Sequence, residues 1–209
     1  MRAQVDVERA LIIFEMNGWN EARNAWRGGH QAPLPPELLE LGRNLLISCP
    51  QGGVILVGGD IETLAVSHAA LGSSERSDVI VLRPELYATD PVYRAQAAAA
   101  LGVDPSLPVR AAVAAATARR PICIAPGADQ AAVPSAPWHA SRLVRVSRSD
   151  LPLEDALGFT AVIEADRCAA SPWVPAIRSV YDAASLHNPM LCPVLQPVFS
   201  GEPPASCRP

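Results

Sequence analysis

The segment Val54-Ile55-Leu56-Val57-Gly58-Gly59-Asp60-Ile61-Glu62-Thr63 decides the fold class of this chain. Its first four residues are apolar and mostly β-branched, and glycines bound them on both sides, which is typical of a strand buried on both faces. The apolar spacing from Ile61 to Leu71 then predicts a helix. A strand that leads directly into a helix is the repeating unit of an α/β fold.

Three further apolar segments extend this pattern into a sheet. They lie at 78–82, 121–125 and 142–146, and helical patterns at 90–101 and 105–119 separate the first of them from the second. Strands that alternate with helices predict βαβ units. We therefore expect a small, mainly parallel sheet of about four strands, flanked by helices in a Rossmann-like α/β arrangement. In such a sheet the strands end along one edge, where α/β proteins bind ligands.

Four parts are predicted along the chain. Apolar residues at helical spacing predict an N-terminal helical hairpin over residues 1–32, and the α/β domain follows over 33–149. Residues 150–188 predict a helical extension. Residues 189–209 form a proline-rich tail, which we expect to be extended and to become ordered only by docking.

The composition excludes several kinds of chemistry. All 17 basic residues of the 209-residue chain are arginines, so there is no lysine for a Schiff base with pyridoxal phosphate and none for a P-loop. The formal net charge is −4 without a basic cluster, which argues against nucleic acid as a partner. No segment reaches the ~20 apolar residues of a membrane span. Glu15 interrupts the N-terminal apolar run, so that this run is a poor secretory signal.

These features predict a cytoplasmic protein, and the alternative is the soluble part of an extracytoplasmic or membrane-associated assembly. The five cysteines have irregular spacings without a Cys-x-x-Cys pair, so a zinc site is not predicted. Cys123 lies inside an apolar segment, which favours a buried small side chain. Among Cys168, Cys192 and Cys207, one disulfide bond can form if the protein enters an oxidising compartment.

The glycines after the first strand mark the candidate ligand site. Gly58 and Gly59 let the backbone turn sharply or approach a ligand, and the amides at the start of the next helix favour an anion. Asp60 and Glu62 repel a phosphate unless a divalent cation lies between, so these two carboxylates are candidate metal ligands, with Thr63 beside them. The pattern is not Gly-x-Gly-x-x-Gly, so the dinucleotide fingerprint is missing. In the alternative interpretation Asp60 caps the helix and the glycines only form a tight turn.

Two more candidate side chains follow the other strands. Arg83 comes after the second strand, where it can bind a carboxylate or phosphate, or instead pair with Glu85 or Asp60. His139 comes after the third strand, at the same edge if the strands are parallel. It can join Asp129 and Asp60 in a metal site, or lie in an ordinary surface loop.

The segments from 36 to 146 resemble the soluble C-terminal region of bacterial multi-spanning membrane proteins related to protein O-mannosyltransferases. That region has an apolar strand, Asn-Gly-Asp-x-Asp-Thr, a helix, Arg-Pro-Asp-Val and another apolar strand. The matching stretches here are Gly58-Gly59-Asp60-Ile61-Glu62-Thr63, then Arg76-Ser77-Asp78-Val79, and later Arg120-Pro121-Ile122-Cys123-Ile124-Ala125. The resemblance implies an α/β fold. It implies no transferase activity, because nothing in this sequence corresponds to the membrane-embedded half where glycosyl transfer takes place.

Three functional hypotheses follow. We expect first a non-catalytic α/β domain that acts as an accessory subunit or interaction module, with a protein partner, a membrane complex or a second copy of itself. The alternative is a small-molecule enzyme or binding protein for a sugar or a phosphate. In it Asp60 and Glu62 hold a divalent cation, and Arg83 or His139 contacts the ligand. Nucleotide binding ranks third, because the glycine fingerprint and the lysine are both missing.

Overall fold

A five-stranded sheet lies at the centre of the chain. The computed structural model describes residues 2–29, 31–72, 76–148, 156–168, 171–199 and 201–208. Within the sheet the strands follow the order β2-β1-β3-β5-β4. Their bounds are β1 Val54–Leu56, β2 Ile80–Leu82, β3 Ile122–Ile124, β4 His139–Ser141 and β5 Val144–Val146.

Helices precede, connect and follow these strands. In chain order they are α1 Arg2–Asn17, α2 Trp19–Gly28, α3 Pro36–Ile47, α4 Asp60–Gly72, α5 Pro84–Thr89, α6 Pro91–Leu101, α7 Val109–Thr117, α8 Thr160–Cys168, α9 Val174–His187 and α10 Cys192–Val198. The predicted hairpin is present as α1 and α2, which meet at Gly18, where φ is +85°. No helix in the described ranges is long and apolar enough to cross a membrane.

The sheet is mixed, so the prediction of about four mainly parallel strands is wrong in this respect. β1 pairs in parallel with β2 and with β3, whereas β5 is antiparallel to β3 and β4 is antiparallel to β5. The predicted fourth strand is β5. It reverses because a tight turn at Arg142, with φ +50°, joins it to β4, and such a hairpin needs no crossover helix. β4 has no apolar pattern, because its residues are exposed or half-buried.

Alternate residues of the central strands point into two separate cores. Ile55 and Cys123 face the layer formed by α3, α8, α9, α10 and most of α4, while Leu56 and Ile124 face the layer formed by α1, α2, α6 and α7. All residues of β1 and β3 are buried, as the continuous apolar runs predict for strands covered on both faces. β1 and β3 are therefore the middle of three layers.

A buried arginine attaches the N-terminal hairpin to this body. Arg23 of α2 donates hydrogen bonds to the carbonyl oxygens of Ala70, Ser77 and Val79, which lie near the end of α4 and in the segment just before β2. Its guanidinium lies 5.2 Å from the centre of the Trp19 ring, which is a cation–π distance. Burial lowers the pKa of Arg23 to about 10, so the side chain stays charged at neutral pH.

Several side chains of α3 hold the helical extension by hydrogen bonds, and Asn44 is the most buried of them. The Asn44 amide donates to the carbonyl oxygen of Gly158 at 2.5 Å and accepts from the N–H of Gly158 at 2.9 Å. It also donates to the Tyr181 hydroxyl in α9 at 3.0 Å. Asn44 and Tyr181 are both buried, so these bonds satisfy polar groups that would otherwise destabilise the core.

The proline-rich tail, which we expected to be extended, folds onto α9. It forms a 3₁₀ turn, then α10, then a second 3₁₀ turn, and its Leu195 and Phe199 side chains are fully buried. A disulfide bond between Cys192 and Cys207 closes this segment. The tail is helical because its apolar residues find a partner surface on the same chain.

A second disulfide bond crosses the core. It joins Cys49, just after α3, to Cys123 in the middle of β3, and both residues are fully buried. The sequence predicted the burial of Cys123 but missed its partner, because the two cysteines lie 74 residues apart. In the chain-entropy model, closing a loop of this length stabilises the folded state by about 4–5 kcal/mol.

We predict one reactive thiol in the oxidised protein. Five cysteines, less the four in the two disulfide bonds, leave Cys168, which is exposed. Denatured protein that has not been reduced should therefore react with one equivalent of a thiol reagent, and Cys168→Ser should remove that reaction. After reduction all five thiols should react. Three or more thiols in the oxidised, unreduced protein would contradict this pairing.

Candidate functional site

The chain leaves the two central strands in opposite directions, and a ligand crevice is expected at that point. From β1 the chain passes through α4 to β2 on one side, whereas from β3 it continues to β4 and β5 on the other side. In open α/β sheets a crevice opens outside the carboxyl ends of the strands where the direction reverses. The turns that contain Gly58 and Gly127 lie there, each shortly after its strand.

The Gly58 turn and the Gly127 turn contact each other through backbone atoms, with no side chain between them. A Cβ atom on Gly58 would lie 2.2 Å from the carbonyl oxygen of Gly127, so another residue at position 58 would push the turns apart. Gly59 has φ +67°, in the left-handed region that glycine adopts without strain. Helix α4 begins directly afterwards at Asp60, and the Thr63 N–H donates to the Gly59 carbonyl oxygen at 3.1 Å. The glycines thus provide both a sharp turn and a close backbone approach.

A cavity of about 380 Å³ opens on one side of this contact, and we call it the acidic crevice. The described side chains that line it include one arginine, Arg83, and the four carboxylates of Glu8, Asp60, Glu85 and Asp129. Arg83 contacts Glu8 and Glu85, each at 3.2 Å. Arg83 therefore pairs with carboxylates, as the alternative interpretation of this residue expected, and the crevice keeps an excess of negative charge.

A second cavity of about 380 Å³ opens on the other side of the contact, and we call it the α9 groove. It shares the backbone turns and Asp60 with the acidic crevice, but α9 forms its far wall. The residues that belong to this groove alone are Ile61, Glu62, Ala176, Ser179, Val180 and Ala183. Most of these side chains are small or apolar, so the groove differs in character from the crevice.

Glu62 is a buried carboxyl group beneath the two turns. Its side chain bonds through Oε1 to the Gly127 N–H at 2.8 Å, and the residue is only 3% exposed. Its Oε2 atom is buried and has no hydrogen-bond partner among the described residues. Burial raises the pKa of Glu62 to about 7, although the nearby backbone amides of Gly127 and Gly58 lower it. An unpartnered buried polar atom costs about 1–3 kcal/mol, so this oxygen is a candidate acceptor for a ligand donor.

The structure brings most of the predicted site residues together. Gly58, Gly59, Asp60, Thr63 and Arg83 line the acidic crevice. Glu62 instead lies on the side of the α9 groove. The sequence analysis missed Gly127 in the turn after β3, although a glycine after a buried strand is the same signal that revealed the first turn.

His139 is not at the carboxyl edge, which corrects its expected position. It begins β4 and pairs with Val146, and Val146 in turn pairs with Cys123 in the middle of β3. The cause is the unforeseen hairpin, which places His139 on an exposed outer strand. Its predicted neighbour Asp129 does line the acidic crevice together with Asp60.

A metal site is not apparent in the described part of the chain. Within these ranges no group of three or more His, Cys, Asp or Glu side chains is arranged to hold a metal ion. Glu62 uses one carboxylate oxygen for the Gly127 N–H, whereas Asp60 is exposed at the start of α4. A cation held by Asp60 and Glu62 stays a prediction.

Comparison of the chain with models of protein families, with curated proteins and with solved structures finds no match. The resemblance to the soluble region of O-mannosyltransferase-like membrane proteins therefore stays a prediction.

Glu62→Gln should make the stability of the protein less dependent on pH. The pKa of Glu62 is about 7 in the folded chain and 4.5 as its ordinary value, so ionisation favours the unfolded state. The stability from this group is fully present below about pH 4.5 and is lost as the pH rises through about 7. The loss amounts to about 3 kcal/mol. Glutamine keeps the shape without ionising, so urea unfolding followed by circular dichroism should show a smaller decrease over this range.

Glu164→Gln is the matched control, because Glu164 is exposed on α8. This variant should keep the pH dependence of the native sequence. An equal decrease in the unfolding free energy of Glu62→Gln and the native protein would show that Glu62 does not ionise as a buried group.

Proposed function

We propose that the protein binds a small uncharged sugar or other polyol at the edge formed by the acidic crevice and the α9 groove. The observation that carries this proposal is the buried Oε2 atom of Glu62, which has no partner among the described residues. A ligand hydroxyl can donate to this oxygen and remove the cost of leaving it unpaired. The site lies where the chain direction reverses between β1 and β3, which is the usual place for a ligand in an open α/β sheet.

The charges around the crevice favour an uncharged ligand over a phosphate. Arg83 is engaged by Glu8 and Glu85, so it offers little charge to an anion. Asp60 and Asp129 would repel a phosphate, since like charges at 4 Å cost about 1–4 kcal/mol at the surface of a protein. Hydroxyl groups instead donate to carboxylates without adding charge, and these hydrogen bonds are stronger than neutral ones.

The α9 groove supplies the apolar contact that a ring needs. Ile61 forms its near wall, while Ala176, Val180 and Ala183 of α9 form the far wall. A sugar has hydroxyl groups at its edge and C–H bonds on its faces. Its hydroxyl groups can therefore reach the carboxylates while one face packs against α9, which is the usual combination of apolar walls and few polar anchors.

Asp60→Asn should weaken the binding of an uncharged sugar. Titration with glucose, myo-inositol and glucose 6-phosphate, followed by ¹H–¹⁵N NMR, should shift the amide signals of Gly58, Gly59 and Gly127 with the two uncharged probes. The variant should bind them about tenfold more weakly, because it loses one charge-assisted hydrogen bond. The phosphorylated probe should bind more weakly than glucose.

Glu164→Gln serves again as the control and should bind like the native protein. Stronger binding of glucose 6-phosphate than of glucose would contradict the charge argument. Unchanged amide signals at the two glycine turns with every probe would refute binding of this ligand class at the sheet edge.

The two disulfide bonds favour an oxidising compartment over the cytoplasm predicted from the N-terminal sequence. Thiols in the cytoplasm are kept reduced, whereas secreted and periplasmic proteins keep their disulfides. Cys49 and Cys123 are buried in the central core, so this pair joins parts of the chain that must fold together. The thiol count, made on protein isolated from its own cells, decides between the two compartments.

An accessory subunit is the second candidate function, and one exposed apolar surface favours it. We call this surface the C-terminal patch. It consists of Leu186, Met190 and Val194, which are 67%, 80% and 44% exposed and lie along the end of α9, the following 3₁₀ turn and α10. Clustered apolar side chains on a surface are typical of protein interfaces.

If the C-terminal patch is an interface, the chain should associate through it. Light scattering after size-exclusion chromatography should give about the mass of two chains for a homodimer, and Met190→Glu should return it to one chain because a buried charge is costly. Val92→Glu on α6 is the control, since Val92 is 53% exposed but lies outside the patch. A monomer that copurifies with no other protein would contradict this function.

A further inference from the structure

We propose a second ligand site between α3 and α4, which takes a small anion with an apolar body, such as a medium-chain or aromatic carboxylate. The site is a cavity of about 240 Å³, which we call the α3–α4 pocket. It is separate from the site at the sheet edge, because it lies beside the second half of α4, and this inference does not depend on the sugar proposal. Its lining consists of apolar walls with basic groups at the rim.

The walls of the pocket come from helices that are held in fixed positions. A Cβ atom on Gly42 would lie 2.1 Å from the carbonyl oxygen of Ala65, so α3 and α4 touch at this glycine. The pocket opens beside the contact, where Leu39, Leu46 and Ala69 line it. This close packing sets the distance between the two helices, and the cavity beside it is already open in the free protein.

The rim carries two arginines and, among the lining residues that the structure describes, no carboxylate. Arg76 is fixed at the end of α3, where it donates to the carbonyl oxygens of Leu46 at 3.0 Å and Cys49 at 2.7 Å. It also pairs with Asp78 at 3.5 Å, so it shapes the rim and Arg43 provides the available charge. Arg43 is exposed and makes no hydrogen bond or ion pair with a described residue. Its planar guanidinium can therefore bind a carboxylate through two parallel hydrogen bonds.

His68 gives the pocket a polar position in its wall. Its ring meets Trp26 edge to face at 4.9 Å, and its Nε2 atom is buried without a hydrogen-bond partner among the described residues. Burial lowers the pKa of His68, so the ring adds no fixed charge to the free pocket. A bound anion would favour the protonated ring, which then donates from this nitrogen.

The size and charge of the pocket define the ligand class. Pockets for drug-sized molecules start at about 300 Å³, so this cavity suits a smaller molecule. Apolar walls favour a hydrocarbon body, and the Arg43 guanidinium, which has no partner among the described residues, favours a negative head and repels an amine. A medium-chain or aromatic carboxylate combines a hydrocarbon body with a negative head group.

Titration with octanoate, phenylacetate and octylamine tests the proposal. By ¹H–¹⁵N NMR the two carboxylates should shift the amide signals of Leu46 and Ala69, and octylamine should leave them unchanged. Arg43→Gln should weaken octanoate binding about tenfold or more, because it removes a charge-assisted pair of hydrogen bonds. Arg43→Lys should weaken it severalfold, since lysine keeps the charge but not the planar fork.

Arg167→Gln, an exposed arginine on α8, is the matched control and should bind octanoate like the native protein. The proposal fails if octylamine binds as tightly as octanoate, or if Arg43→Gln leaves the octanoate affinity unchanged. The first of these results needs no variant, so the test holds even if a substitution impairs folding. Asp60→Asn should leave octanoate binding intact, which separates the failure of this site from the failure of the sugar site.

Discussion

The contact between the Gly58 turn and the Gly127 turn is the constraint on which the rest of the structure depends. Adjacent parallel strands carry these turns out of the sheet at one edge, and the missing side chain at position 58 lets the backbones meet. Helix α4 starts directly from the first turn, so its direction is fixed where it begins. Glu62, in the first turn of that helix, then reaches the backbone of the second turn. The polar edge of the sheet and the course of α4 therefore have one common cause.

The sequence predicted those parts of the fold whose burial leaves a pattern in the chain. β1 and β3 are apolar in every residue because helices cover both faces, and α4 was predicted to within one residue at each end because its apolar spacing is regular. β4 could not be predicted, since its side chains face solvent and any polar residue is tolerated there. Because β4 was not predicted, the antiparallel direction of β5 could not be predicted either. Pairing between residues far apart in the sequence could not be predicted either, as the disulfide bond between Cys49 and Cys123 shows.

The candidate site was predictable where it is built from one segment and not where distant segments meet. The stretch from Gly58 to Thr63 could be recognised in the sequence because its glycines lie between a predicted strand and a predicted helix. Glu8 joins the same crevice from α1, and no local signal in α1 indicates that neighbourhood. The Oε2 atom of Glu62 lacks a hydrogen-bond partner among the described residues because of its three-dimensional surroundings, so only the folded structure could reveal it.

The disulfide bond between Cys49 and Cys123 has a consequence for the denatured chain. Cys49 comes shortly before β1 and Cys123 lies within β3, so the cross-link turns the intervening chain into a covalent ring that contains β1, α4 and β2. When the hydrogen bonds of the sheet break, this ring stays closed, and β1 and β3 remain tethered to each other through the disulfide bond. The denatured ensemble of the oxidised protein is therefore more compact than that of the reduced protein, and its search for the pairing of β1 with β3 covers a smaller volume.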